Sequence, residues 1–330
     1  MMATIKDVSK LAGVSVATVS RVINQNGYVH KDTAEAVHKA MKTLNFVPNE
    51  MARGLTGKKT RTVALVIPDI LNPFFPEIAR AIEDTANQFD YTVILCNSDN
   101  NPDKEKKYFQ VLENKRIDGV ILASYTIRPE QIQELEKKKI PVVVIDNSFP
   151  DQPVLSLVSD NREGARKAVR HLLEQGCRKI AHIGGPYHVN AARERYLGYE
   201  EICGKMDWFI PGLVVQSDFH IDGGRKAMLE LLSRHPDIDG VFACNDLLAI
   251  GALKALNQSN VSVPEQVKVI GFDGIQLHYA VPELSTVAQP IYRLGSEAMK
   301  LLYRLINGET VDKTVHRFDV ELVVRNSSKN

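Results

Sequence analysis

Two short helical patterns open the chain and are separated by a three-residue break. Gly13, Val14 and Ser15 form this break, and Ser15 occupies the position of an N-cap for the second helix. Two short helices joined by a tight turn that contains glycine predict a helix-turn-helix, whose second helix enters the major groove of DNA. The apolar positions that set the helical period are Ile5, Val8, Leu11 and Ala12, then Val16, Val19, Val22 and Ile23.

A third amphipathic stretch, DTAEAVHKAMKTLNF, follows a short loop. We expect its apolar stripe to close a three-helix core over Val8, Leu11 and Val19. This all-α headpiece is predicted to span residues 1–48, and the short basic segment 49–62 is predicted to be a linker. The stripe consists of Ala36, Val37, Ala40, Met41 and Leu44.

From about residue 63 onward, apolar strands alternate with amphipathic helices. The strands are predicted at 62–68, 91–96, 119–123, 141–146, 179–184, 240–245 and 267–273. The predicted helices include 74–88, 103–115, 130–138, 161–175, 222–234 and 246–258. Near-continuous Val/Ile runs predict strands buried on both faces, and therefore parallel sheets covered by helices. This alternation extends over more residues than one open-sheet domain usually contains, so we expect two subdomains.

Charge is distributed unevenly along an otherwise ordinary globular composition. Residues 1–61 contain ten Lys and Arg against four Asp and Glu, whereas the rest of the chain contains 31 and 36. A basic amino-terminal segment followed by a slightly acidic remainder is typical of a phosphate-binding module joined to a part that does not contact DNA. The four cysteines have no metal or redox spacing, which favours reduced thiols: Cys96, Cys177, Cys203 and Cys244.

The amino-terminal residues, MMATIKDVSK, contain no apolar segment, so we expect no signal peptide. No apolar run reaches the roughly eighteen residues that span a bilayer, so we expect no membrane contact. These features predict a cytoplasmic protein.

The order and spacing of several motifs resemble the LacI/GalR family of bacterial repressors. The motifs are TIKDVSKLAGVSVATVSRVIN, MARGL, VALVIPDILNPFF, DGVILAS, VVVIDN, VIGFD and LSTVAQP, and they cover essentially the whole chain. The resemblance implies a headpiece, a hinge helix within 49–62, and a periplasmic-binding-protein-like core over 63–330. We expect the chain to cross between subdomains near 160 and 289, with a C-terminal return. No heptad repeat follows VELVVRNSSKN, which favours a homodimer over a tetramer.

The resemblance places Val16, Ala17 and Arg21 against the bases of a palindromic operator. Small apolar side chains suit thymine methyls, and arginine can bind guanine O6 and N7 together. The alternatives are that Val16 belongs to the core and that Arg21 contacts only phosphate. Leu55 corresponds to a hinge leucine that wedges into the minor groove. Phosphate contacts or helix caps are expected from Thr4, Ser15, Thr18, Ser20, Asn24, Asn49, Ala52 and Arg53.

Polar and aromatic residues follow the ends of several predicted strands. Ligands of open α/β sheets bind beyond the carboxyl ends of the strands, so these residues are candidate effector contacts. Carboxylates, amides and an arginine pair with hydroxyl groups while flat rings cover C–H faces, which suits a small sugar. The candidates are Asn72, Phe74, Phe75, Asp146, Asn147, Arg195, Phe219, Asn245, Asp273 and Gln289.

This set is similar to the site of ribose-binding proteins and ribose-responsive repressors. Asn147 departs from that site, which usually carries Arg there, and so leaves a different pentose or a ketohexose open. A purine corepressor would require an aromatic residue next to Asp146, so Asn147 at that position argues against this class of ligand. Asp160 could contribute at the crossover or cap the helix that follows it. We expect the sugar to act as an inducer that shifts the protein away from its DNA-binding state.

Three other classes of protein compete with a sugar-responsive repressor. An extracytoplasmic sugar-binding protein would fit the core alone, but not the basic headpiece. An enzyme such as a nucleotide-dependent dehydrogenase would need a G-x-G-x-x-G or G-x-x-x-x-G-K motif, and neither is present. The third competing class is a transcription regulator that is controlled by binding a corepressor protein and not a sugar. We expect no catalysis, no cofactor and no metal.

Overall fold

The computed structural model describes residues 3–24, 26–46, 59–149, 151–276, 281–312 and 314–329. The chain divides into two compact units, with the boundary between Thr60 and Arg61. The first unit is all-helical, and the second contains two parallel-sheet subdomains.

The first unit contains three helices: α1 (Ile5–Ala12), α2 (Val16–Asn24) and α3 (Lys31–Thr43). Thr4 caps α1 in a capping box, because its hydroxyl accepts from the backbone N–H of Asp7 and the Asp7 carboxylate accepts from the Thr4 N–H at 2.8 Å. The Ser15 hydroxyl accepts from the N–H of Thr18 at 3.1 Å, which confirms the predicted N-cap of α2. Gly13, at φ 69°, makes the left-handed turn between α1 and α2.

The headpiece core is smaller than the sequence pattern predicted. Leu11 was expected in this core but is 53% exposed, and Ala36 of the predicted stripe is also exposed. At 100° per residue, Leu11 lies 60° beyond Val8, at the edge of the stripe on α1. Ala36 lies beyond the edge of the α3 stripe in the same way. The buried core consists of Val8, Val19, Val22, Val37 and Ala40.

The second unit contains two six-stranded sheets. The strands of the first are β1 (Thr62–Ile67), β2 (Thr92–Asn97), β3 (Gly119–Leu122), β4 (Val142–Ile145), β5 (Ser156–Ser159) and β11 (Val315–Phe318). Those of the second are β6 (Ile180–Gly184), β7 (Val214–Gln216), β8 (Gly240–Ala243), β9 (Lys268–Asp273), β10 (Ser285–Ala288) and β12 (Glu321–Val323). The strand orders are β11-β5-β4-β3-β1-β2 and β12-β10-β9-β8-β6-β7, and β12 alone of these pairs antiparallel.

Helices cover both faces of each sheet. They are α4 (Phe74–Gln88), α5 (Pro102–Asn114), α6 (Pro129–Lys137), α7 (Asn161–Glu174), α8 (Asn190–Cys203), α9 (Ile221–Arg234), α10 (Asp246–Gln258) and α11 (Ile291–Ile306). Alternate residues of β1 serve opposite layers: Val63, Leu65 and Ile67 pack with α4 and α11, whereas Ala64 and Val66 pack with α5 and α6. None of the helices in the described ranges has the length and apolar character needed to cross a bilayer.

The chain passes between the two subdomains at the ends of three strands. After β5 it crosses at Asp160, whose carboxylate caps α7 by accepting from the N–H of Glu163 at 3.1 Å. After β10 it crosses back at Gln289, and after β11 it crosses again at 319–320 to form β12. These connections bring the carboxyl ends of both sheets to one cleft.

Candidate functional site

Two adjoining cavities lie in the cleft between the subdomains. We call the deeper one the inner cavity; it measures about 10 Å³. The other, the outer cavity, measures about 210 Å³ and has exposed residues such as His188 and His220 at its edge. The two share Asn72, Tyr125 and Phe219. The inner cavity is lined by Asn72, Phe74, Tyr125, Asp146, Ala191, Arg195, Phe219, Asn245, Asp273 and Gln289.

Aromatic rings from both subdomains form the apolar walls. The side-chain oxygen of Asn72 accepts from the N–H of Phe74 at 3.2 Å, which orients the first turn of α4. Phe74 and Phe75 meet edge to face at 5.1 Å between ring centroids. Tyr125 lies 6.3 Å from Phe75 and 5.9 Å from Phe219, so it links the rings of the two subdomains. Such rings can cover the C–H faces of a small ligand.

Phe219 reaches the cavity because Gly185 leaves room for its ring. A Cβ atom at Gly185 would lie 2.4 Å from the Phe219 ring. The Phe219 carbonyl also accepts from the Nδ2 of Asn245 at 3.2 Å. Asn245 in turn caps α10, because its Oδ1 accepts from the N–H of Leu248 at 2.9 Å.

A buried ionic cluster forms the polar wall. Arg195 donates from Nη1 to the Cys244 carbonyl at 2.6 Å and to the Asp273 carboxylate at 3.2 Å. Its Nε donates to Asn161 at 2.8 Å, and its guanidinium lies 3.8 Å from the centre of the Phe272 ring. These contacts hold a fully buried guanidinium in one orientation at the end of the second sheet.

Asp273 is held by contacts on both sides. The same Asp273 oxygen accepts from Gln289 Nε2 at 2.8 Å. The backbone of Asp273 has φ 116°, and the following turn is fixed by buried Asp246, whose Oδ2 accepts from the N–H groups of Gly274 and Ile275 at 2.8 and 2.9 Å. Asp246 is thus a positioning residue that the set of candidate contacts does not include.

Two acceptor oxygens in the inner cavity have no partner among the described residues. They are Oδ1 of Asp146 and Oε1 of Gln289, and both side chains are more than nine-tenths buried. Buried polar atoms in proteins are almost always hydrogen-bonded, so a ligand with donor groups fits these positions. Asp146 belongs to the first subdomain, whereas Arg195 and Asp273 belong to the second.

Burial also changes the acidity of the carboxylates in the inner cavity. It raises the pKa of Asp146 to about 7; Arg195 opposes this rise and Asp273 adds to it. Burial raises the pKa of Asp273 as well, against the opposing charge of Arg195 and the hydrogen bond from Gln289. Hydroxyl donors from a ligand would favour the charged carboxylates.

The structure gathers nine of the ten candidate effector contacts around the two cavities. Asn147 lines neither cavity: its Nδ2 donates to the Ser124 carbonyl at 3.0 Å. Ser124 also donates to the buried carboxylate of Glu105 at 2.5 Å and precedes Tyr125. Asn147 therefore supports the segment that carries Tyr125. Tyr125 itself follows β3, so the rule that selected the other candidates also applied to it.

The base-reading candidates of the headpiece lie together on α2. Val16 is 40% exposed, so it is not part of the core, and Ala17 and Arg21 are also exposed. Thr4 is exposed, whereas Thr18 and Ser20 are half-buried. The candidates outside the described residues are Leu55, Asn49, Ala52, Arg53 and the side chain of Asn24.

No group of three or more His, Cys, Asp or Glu within the described ranges could hold a metal ion. Residues 4–49 match the family described as bacterial regulatory proteins, lacI family. Residues 60–324 match the periplasmic binding proteins and sugar binding domain of LacI family. The chain belongs to the LacI family.

Similar proteins agree with this assignment. A ribose operon repressor of Halalkalibacterium halodurans is 46% identical over 329 residues, covering 99% of this chain and 98% of the relative. The lac repressor dimer bound to operator and the anti-inducer ONPF has a TM-score of 0.89 and 26% identity, and all of both chains is covered. A LacI-family regulator of Enterococcus faecium with bound ribose has a TM-score of 0.73 and 31% identity, covering 81% of this chain and 98% of that one.

The LacI family consists of transcription regulators and not of enzymes, and this chain is a DNA-binding repressor of that family. The expected fold class is confirmed: a helical headpiece precedes two parallel-sheet subdomains of the periplasmic-binding-protein type.

Proposed function

We propose that this LacI-family repressor controls a sugar-utilisation operon and is released from its operator by ribose or a related pentose. The observation that carries the proposal is the pair of unpartnered acceptors, Asp146 Oδ1 and Gln289 Oε1, in a cavity walled by aromatic rings. Sugar hydroxyls would supply the missing donors, and the rings would cover the sugar C–H faces.

The size of the site favours a monosaccharide. The outer cavity measures about 210 Å³, below the roughly 300–1,000 Å³ typical of sites for drug-sized ligands. The names of two similar proteins, a ribose operon repressor and a regulator with bound ribose, point to the same class of sugar. We infer that the sugar ring occupies the outer cavity and reaches the inner cavity, which at about 10 Å³ has room for one water-sized group, with a hydroxyl group.

The proposed switch follows from the position of the ligand contacts. A sugar that binds Asp146 in one subdomain and Arg195 and Asp273 in the other stabilises the closed cleft. Ligand binding can shift the protein between two states only by its difference in affinity for them. Closure would change how the hinge segments of two protomers approach each other, and so would weaken operator binding.

We infer that the operator is read by Val16, Ala17 and Arg21 on α2, with a wedge from Leu55. The exposure of the three α2 side chains on one helix supports base reading. Thr4, Ser15, Thr18 and Ser20 would then hold the phosphate backbone, together with Asn24, Asn49, Ala52 and Arg53. Such a repressor would act in the cytoplasm.

A second copy of the chain is the proposed partner of one apolar sheet edge. Leu95 on edge strand β2 is 41% exposed and Leu71 is 81% exposed. The N–H of Ile70 donates to Asn97 at the end of β2, which brings these apolar residues together. The solved lac repressor is a dimer. A homodimer would present two α2 helices to the two halves of a palindromic operator.

Isothermal titration calorimetry with the full chain tests the effector. Ribose, arabinose, xylulose and fructose are titrated into the wild type and into Asp146→Ala. We expect saturable binding of ribose or another pentose, and loss of binding in the variant. Absence of binding by every sugar would overturn the proposed effector, and equal binding by the variant would overturn the proposed site.

A further inference from the structure

A third cavity, which we call the side cavity, adjoins the inner cavity. It measures about 100 Å³ and shares Asp146 and Ala191 with the inner cavity. A sugar that contacts Asp146 would therefore lie next to the side cavity. The other polar residues that matter in its wall are Ser159, Asn161, Arg193, Glu194 and Arg317.

Positive charge in the side cavity is not neutralised by its own carboxylates. Glu194 is paired with Arg162, with a distance of 3.0 Å from Oε2 to Nε. Arg193 donates to the neutral amide oxygen of Asn190 at 2.9 Å. Among the described residues no carboxylate forms an ion pair with Arg193 or Arg317. Both guanidinium groups are thus available to an anion.

The side cavity also contains a buried hydroxyl group that lacks a partner. Ser159 is 1% exposed, and its Oγ forms no hydrogen bond with any described residue. Leaving a buried hydroxyl group unsatisfied costs free energy, so this position favours a ligand oxygen.

We propose that the side cavity binds an anionic substituent of the effector, so that the chain binds a sugar monophosphate more tightly than the free sugar. The proposal rests on the sugar site proposed above. Arg193 and Arg317 would bind the phosphate oxygens through charge-assisted hydrogen bonds, and Ser159 would donate to them.

Calorimetry of the full chain with three ligand mixtures tests this proposal: ribose, ribose 5-phosphate, and ribose with inorganic phosphate. The variants are Arg193→Gln, Arg317→Gln and the matched control Arg178→Gln, which removes an exposed arginine outside the cavity. The readout is the ratio of the dissociation constants of ribose and ribose 5-phosphate.

We expect ribose 5-phosphate to bind at least about tenfold more tightly, since a charge-assisted hydrogen bond contributes on that order. The ratio should fall toward one in Arg193→Gln and Arg317→Gln, and should persist in Arg178→Gln. Ribose binding with no gain from the phosphate overturns this inference and leaves the proposed function standing. Failure of ribose and ribose 5-phosphate to bind overturns this inference, and it overturns the proposed effector as well if the other sugars tested above also fail to bind. A gain that persists in both Arg193→Gln and Arg317→Gln, or that inorganic phosphate reproduces, overturns the assignment of a substituent site.

Discussion

The guanidinium of Arg195 lies 3.2 Å from the carboxylate of Asp273, and both side chains are about 95% buried, with exposures of 4% and 6%. Such a pair is expensive to desolvate, and its loss on one side leaves an uncompensated charge. We infer that the pair serves a site that requires a fixed guanidinium, because an apolar pair of similar volume would often stabilise the fold at least as well.

Arg195→Gln should destabilise the protein by about 3 kcal/mol, because it leaves the Asp273 carboxylate unpaired in the cleft. Burial already raises the pKa of Asp273 in the folded state. Protonation therefore favours the folded state, and removal of Arg195 should raise this pKa further. We expect the loss of unfolding free energy to be smaller at pH 5 than at pH 8. Urea unfolding at both pH values measures it, and an equal loss at both would show that Asp273 is not the group left uncompensated.

Sugar affinity should depend on the ionisation of Asp146. Burial holds its pKa at about 7 in the free protein, and sugar hydroxyls donate to the charged form. Below pH 7 binding must therefore release a proton, so affinity should rise with pH up to about 7, by at most about tenfold per pH unit for one proton, and then level off. Calorimetry of ribose binding from pH 5.5 to 8.5 tests this. Asp146→Asn removes this group and should bind with a shallower profile, in which the remaining dependence comes from Asp273, whose pKa burial raises to about 6; a profile as steep as that of the wild type would assign the proton elsewhere.

Arg21 should contribute to operator choice, in contrast to a basic residue that only contacts phosphate. We expect Arg21→Ala to weaken operator binding by about 1–3 kcal/mol and to relax preference at one base pair. Lys10, an exposed residue in the last turn of α1, is the matched control. Lys10→Ala removes a positive charge from the same headpiece but not from α2, and should leave the preference among bases unchanged. Binding to a set of single-base operator variants separates the two cases. If Arg21→Ala weakens binding to every operator variant by the same factor, Arg21 contacts phosphate and does not read a base.

Gly54 lies in the hinge segment, outside the described residues. If this segment becomes helical on the operator, glycine opposes the transition by up to about 1 kcal/mol relative to alanine. Gly54→Ala should then raise operator affinity by up to about fivefold for each of the two protomers of a dimer. Fluorescence anisotropy at fixed salt measures the change, and circular dichroism of the free protein should show no gross refolding. Unchanged affinity would mean that helix formation by the hinge does not limit binding.

Six of the seven predicted strands gave a strong apolar pattern because they are almost entirely buried on both faces, whereas β2 is an edge strand on which Leu95 is exposed. Each of the seven predicted strands corresponds to a strand of the two sheets. The strands that the pattern did not predict are short or peripheral. For example, β5 and β10 begin and end with small or polar residues, and β7 and β12 lie at sheet edges where burial is partial. Their pairing depends on neighbours that are distant in sequence, which local periodicity does not report.

The candidate site was predictable to the extent that its residues follow strands. Asp146, Asn245, Asp273 and Gln289 follow or end strands that meet at the cleft. The direction in which a side chain turns was not predictable where it depends on a partner distant in sequence. Asn147 is an example. It follows β4 as the others follow their strands, yet its amide turns to the Ser124 carbonyl and away from both cavities.

We propose that a sugar in the cleft releases the operator. Fluorescence anisotropy tests it with an operator duplex that the wild-type protein selects from a randomised pool. We predict that ribose or another pentose dissociates the wild-type complex, and that Asp146→Ala binds the same duplex but stays bound at every sugar concentration. Retention of the duplex by the wild type with every pentose, or equal release from the variant, would contradict the claim.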